Sequence, residues 1–150
     1  MRMWRMWLAG VLMLLTASVG AQDLYMVRSD MAFPEAMIAL QTAIREQGYV
    51  LSRVQRVDIG LTAFGFKTDR YRVVFFGKPE EIEQLGASYR DLVPYLPLKI
   101  AIFSEGEETL LLASSFRHLR AFYPQETLGE QFDTWETDIQ SILEQVRLSE

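Results

Sequence analysis

Arg56 and Asp58 sit two residues apart in one β-rich stretch, and Arg70 and Arg72 sit two residues apart in the next. Residues i and i+2 share a face of a strand, so each pair is expected on one side of its strand. If the two strands are hairpin neighbours, three guanidiniums converge on one surface, with Lys78 close by. Forked donors of that kind suit a carboxylate, phosphate or sulfate. The same residues also read as Asp58 paired across strands with one arginine while the others are solvated. Arg56, Asp58, Arg70, Arg72 and Lys78 are therefore the ligand-binding candidates. An enzyme using carboxylate or arginine chemistry around Asp58, Arg56 and Arg72 is the rival reading.

Other reactive side chains are few. Ser114-Ser115-Phe116-Arg117-His118 places hydroxyls beside the single histidine. A hydrolase needs a base oriented by a carboxylate and a nucleophile on a sharp turn, and no G-x-S-x-G is present. Glu105, Glu107 and Glu108 surround Gly106, but a calcium loop spreads alternating ligands over about twelve residues, so a solvated hairpin tip is expected. Met26, Met31 and Met37 could be copper-type thioethers, yet their spacing shares no face, and packing is the simpler role. There is no cysteine, which removes disulfides, thiolate nucleophiles and cysteine-ligated metals. No catalytic residue, metal ligand or cofactor is expected.

The elements that would position these groups follow from periodicity. Leu24–Arg28 reads as a short strand. Pro34 suits the first position of a helix whose stripe is Phe33, Met37, Leu40 and Ile44, stopped by Gly48. Residues 49–59 read as a strand, with Val57 and Ile59 alternating with Arg56 and Asp58, and residues 60–69 as a loop. Arg70–Phe76 becomes continuously apolar, as a central strand covered on both faces would. A helix opens at Pro79, buries Ile82, Leu85 and Tyr89, carries Glu80 and Glu81 where its dipole favours acids, and ends before Pro94 and Pro97. Leu98–Phe103 and Thr109–Ser114 form a hairpin around residues 104–108. The tail, residues 125–148, is the clearest helix: Leu128, Phe132, Trp135, Ile139, Ile142 and Val146 are spaced 4, 3, 4, 3 and 4. That stripe must meet either this domain's sheet or a partner; its own sheet is the expectation. The order is β-α-β-β-α-β-β-α, an α+β fold with helices on a mostly antiparallel sheet. Phe116, Phe122, Tyr123 and Trp135 are expected in the core.

The first twenty-one residues belong to a different argument. Arg2 and Arg5 precede the apolar run Leu8–Leu15, and Val19-Gly20-Ala21 ends in small residues, the three-part pattern of a secretory signal peptide cleaved after Ala21. The apolar run falls short of the ~20 residues that cross a membrane. Residues 22–150 then form a single domain, which keeps 13 basic and 20 acidic side chains, a net charge of -7 instead of -5. Such a chain repels nucleic acid and anionic membrane surfaces on average. With 49% apolar and 23% charged residues it has the composition of a folded domain, not of a disordered tail.

Val57-Asp58, the run Val73-Val74-Phe75-Phe76-Gly77-Lys78-Pro79 and the run Leu96-Pro97-Leu98-Lys99-Ile100-Ala101-Ile102 together resemble the Domain of Unknown Function 302 family. Order and spacing agree over residues 24–123. The resemblance implies a compact α+β fold of the TATA-binding-protein-like kind, often dimeric, with no established reaction. It places the helix after residue 125 beyond the family core. Two positions depart from the family pattern: Ile59 stands where relatives often carry histidine, and Lys78 replaces the asparagine of Phe-Gly-Asn-Pro. The second change loses a capping acceptor and sets a cation at a helix start.

These observations point to an exported, periplasmic, non-catalytic domain that binds a small ligand, an anion among the candidates, or a protein partner. No nucleic-acid partner and no membrane contact after cleavage are expected. A homodimer, or a structural role in which the tail helix pairs between chains, is the remaining alternative.

Overall fold

The computed structural model describes residues 23–149, so the leader expected over residues 1–21 lies outside the described residues. Five strands, β1 (Leu24–Ser29), β2 (Val50–Arg56), β3 (Tyr71–Gly77), β4 (Leu98–Glu105) and β5 (Glu108–Ser114), form one sheet in the order β1-β5-β4-β3-β2. Every neighbouring pair is antiparallel. Four α-helices accompany it: α1 (Phe33–Glu46), α2 (Val57–Ala63), α3 (Pro79–Ser88) and α4 (Glu126–Leu148). Short 3-10 turns run over Arg90–Tyr95 and Arg117–Leu119. The fold is the α+β arrangement expected.

The tail helix decides the packing. Leu128, Phe132, Trp135, Ile139, Ile142 and Val146 are all buried, joined by Leu143, so the stripe meets its own domain and is not available to pair two chains. Against it lie Ala36, Leu40, Ala43 and Ile44 of α1 and the inward residues Val74, Phe76, Ile100, Ile102 and Leu111 of the sheet. Phe132 and Phe116 stack at 5.9 Å, and Phe116 lies 5.2 Å from Trp135. Polar atoms at this seam are paired. The Trp135 indole N–H donates to Glu81 Oε2 at 2.9 Å, and Glu136 accepts from the Ser115 hydroxyl and the Phe116 N–H at 2.9 and 2.8 Å. Ser115 is thus buried, with its hydroxyl held by Glu136.

Several boundaries differ from the sequence reading. The β-rich stretch ends at Arg56, and residues 57–63 form α2, so Val57 and Ile59 are helical and the expected 60–69 loop begins as a helix. Asp58 lies in the first turn of α2, where the helix dipole favours an acid. Arg56 and Asp58 therefore do not share a strand face. The α1 stripe uses Ala36 and Ala43, leaving Met37 only half-buried. Gly48 follows as expected, with φ of 79°, a conformation that other side chains resist. The β4–β5 hairpin closes more tightly than foreseen: Glu105 pairs with Glu108, leaving Gly106 and Glu107 as the turn. Phe122, expected in the core, is 75% exposed.

Phe132→Ala should therefore cost about 3–5 kcal/mol of stability, whereas Phe122→Ala should change it by less than ~0.5 kcal/mol. Urea denaturation of both variants checks this, and equal losses would contradict the packing described.

Candidate functional site

Four of the five ligand-binding candidates do come together. In the β2–β3 ladder Arg56 stands opposite Arg72. Arg72 makes an ion pair with Asp58, reached from the first turn of α2, and its guanidinium also donates to the Tyr71 carbonyl at 2.9 Å. The guanidiniums of Arg72 and Arg70 lie 5.8 and 6.0 Å from the centre of the Phe33 ring at the start of α1. Arg56 and Arg70 remain exposed. Lys78 is elsewhere. It follows the opposite end of β3, about 20 Å away by strand rise. Its ammonium sits 4.5 Å over the Tyr49 ring and 3.9 Å from Asp138. Tyr49 donates to the same Asp138 carboxylate at 2.7 Å, and burial together with that bond pushes its phenol pKa upward. Lys78 thus ties the start of α3 to α4, which explains a cation at a helix start.

Arg72 has little left to offer a ligand. Its hydrogen bond holds the Asp58 carboxyl below the usual carboxylate range, against the opposing effect of burial; the Ile59 N–H and the charge of Arg56 add to the lowering. The pair stabilises the junction of β2, α2 and β3. Asp58→Asn should cost about 1–2 kcal/mol at pH 7. Because the folded-state pKa is depressed, this stabilisation is complete above the unfolded value of ~3.9 and is lost as pH falls through the folded one. Wild type and variant should converge in thermal stability at low pH. A deficit as large at pH 2 as at pH 7 would remove the ion pair as its cause.

A larger feature lies on the other side of the sheet. α1, α3 and α4 all pack on the face carrying Val74, Phe76, Leu98, Ile100, Ile102 and Leu111. Among the described residues, no helix covers the opposite face. Its side chains stand in three rows set by the registers. The middle row is Met26, Leu112, Ala101, Val73 and Gln55. On one side lie Arg28, Leu110, Phe103 and Tyr71, with the two rings edge to face at 6.0 Å. On the other lie Leu24, Lys99, Phe75 and Arg53, with Ser114 beside them. Leu24 and Met26 are 49% and 51% exposed. Strand and residue spacings give the apolar part an area of about 300 Å², the size of the largest patch a lone domain usually shows.

The charges on this face are segregated. Arg28 is neutralised at one corner by Glu105 and Glu108. Among the described residues, Lys99 and Arg53 make no ion pair. A shallow depression of about 370 Å³ runs over the face between Val57, Tyr71 and Val73 at one end and Lys99 and Ser114 at the other. Sequence reading missed this surface because it took the apolar run in β3 as evidence of cover on both faces. The signal was present, since Val73 and Phe75 point to the bare side. No group of three or more metal-ligating His, Asp or Glu side chains occurs among the described residues.

Comparison with known proteins bears on the family alone. The profile described as Domain of unknown function DUF302 matches residues 25–146. That span takes in nearly all of α4, which the sequence reading had placed beyond the family core. The solved structure of an uncharacterized conserved DUF302 protein from Bacillus stearothermophilus superposes with a TM-score of 0.74 at 19% identity, covering 85% of this chain and 100% of that one. At that identity the likeness is one of fold. No curated protein matches the chain. With more than three quarters of its length matched in sequence, the chain belongs to the DUF302 family.

Proposed function

We propose that the chain is an exported, periplasmic, non-catalytic binding domain whose recognition surface is the bare face of its sheet. One observation carries the reading: β3 and β5 are continuously apolar, Val73-Val74-Phe75-Phe76 and Leu110-Leu111-Leu112, although among the described residues helices cover only one side of them. A sheet with one solvated face ordinarily alternates apolar with polar residues. Here the alternation is lost in the two strands that flank β4, so this face carries the composition of an interface. Arg2, Arg5, the apolar run Leu8–Leu15 and Val19-Gly20-Ala21 support export. A binding role is also favoured by where the polar chemistry has gone, since Ser115, Asp58 and Arg72 are held in structural contacts.

Two measurements test this. Intact-mass analysis of the expressed protein should find a chain beginning at Gln22; material retaining Met1 throughout would remove export. Thermal-shift screening against small amphiphiles and envelope extracts should raise the melting temperature, since a ligand at a hundred times its Kd adds ~2.7 kcal/mol. Ala101→Asp, which charges the centre of the bare face, should abolish the shift while leaving the unliganded melting temperature within a few degrees. If no compound or extract shifts the protein, or if the Ala101→Asp variant responds as wild type does, the bare face is not the binding surface.

A further inference from the structure

The bare face does not end at Lys99. That residue and Ser114 also border a second, more enclosed cavity of about 230 Å³ beyond the end of the sheet. Its walls are the Pro94–Pro97 segment, which brings Tyr95, and the turn after β5, which brings His118; Phe116 and Leu98 supply an apolar floor. The polar side chains lining this cleft are Tyr95, Lys99, Ser114, Ser115 and His118; Ser115 is held by Glu136, and the other four make no side-chain hydrogen bond or ion pair among those described. All four are hydrogen-bond donors, and Lys99 adds positive charge. Among the described residues, no carboxylate side chain lines the cleft. In a chain with 20 acidic residues against 15 basic ones, that absence gives the cavity a sign opposite to the whole.

We propose that this cleft and the adjoining bare face are one site for a free single-chain alkyl carboxylate, its head group held at Lys99 and its chain laid over Ala101, Val73 and Leu112. The proposal rests on the reading of the bare face as a binding surface and names its ligand class. The two depressions share Lys99 and Ser114 in their linings, so they adjoin at the residue that would hold the head group. A carboxylate accepts from an ammonium and from hydroxyls with charge-assisted geometry. The chain then lies on Leu112, Ala101 and Val73, the apolar stretch of the middle row that ends at Gln55. Area favours this ligand over a second copy. A stable protein pair needs about 800 Å² from each partner, a little over half of it apolar, and the apolar part of this face is about 300 Å² by strand spacing. A single alkyl chain needs no more.

The test uses the purified protein, sodium dodecanoate below its micelle concentration, and dodecanol as the uncharged probe. Titration calorimetry should show dodecanoate binding more tightly than dodecanol. Lys99→Met, a surface change that keeps the apolar stem, should weaken dodecanoate about tenfold to a hundredfold and leave dodecanol unchanged. Ala101→Gln should weaken both, with an unaltered circular dichroism spectrum. The proposal is overturned if dodecanoate does not bind, or if Lys99→Met binds it as wild type does. It is also overturned if the protein sediments with phosphatidylglycerol vesicles while ignoring the free carboxylate, or forms a dimer that Ala101→Gln dissolves while no probe binds. Should dodecanoate fail while other compounds still give a thermal shift that Ala101→Asp removes, the bare face remains the binding surface and only its ligand is different.

Discussion

The burial of one long amphipathic stripe on one side of the sheet sets everything else in this molecule. α4 lays Leu128, Phe132, Trp135, Ile139, Ile142 and Val146 into the core together with α1, and fully burying side chains of that size is worth about 1.5–3 kcal/mol each. Nothing on the other face competes with that. The hydrogen bonds from Trp135 and Gln131 to Glu81 then draw α3 to the same side. Once three helices have gathered there, the second face of a five-stranded antiparallel sheet has no partner within the described chain. The bare surface is the complement of the core.

This accounts for what could and could not be read from the residues. The spacing of α4 was legible because a 3.6-residue period over 23 residues admits little else. The hairpin of β4 and β5, the stop at Gly48 and the helix start at Pro79 were legible because each depends on a local backbone requirement. Residues 57–63 were not. Val57 and Ile59 alternate with Arg56 and Asp58 as a strand would, and seven residues are too few for a helical period to declare itself. What makes them helical is the continuation of the chain: the Thr62 hydroxyl donates to the Asp58 carbonyl, and Asp58 reaches Arg72 from the helix. The site was harder still. A run such as Val73–Phe76 states that both faces are apolar, but it cannot say whether the second cover is a helix of the same chain.

The arginine cluster and the bare face illustrate two fates of charge. Around Asp58, three guanidiniums gather and the carboxylate neutralises the most buried of them, so the group serves to fasten α2 to the sheet. On the opposite side Lys99 and Arg53 stand without carboxylates among the described residues, in a protein whose average charge is negative. Local sign, not net charge, determines what such a surface attracts. Of the candidates chosen from spacing, Asp58, Arg72 and Lys78 are paired within the fold, while Arg56 and Arg70 stay exposed.

The strand order has one more consequence, for the path by which the fold is reached. Among the described residues β1 is the first element, and its one partner in the sheet is β5, whose last residue is Ser114. Closing that pairing spans nearly ninety residues of sequence, and non-local pairings of this kind slow folding. A chain synthesised or threaded from its N-terminus holds β1 solitary until β5 has emerged. Completion of α4 comes later again. The complete sheet is thus withheld until the described chain is present as far as the end of β5.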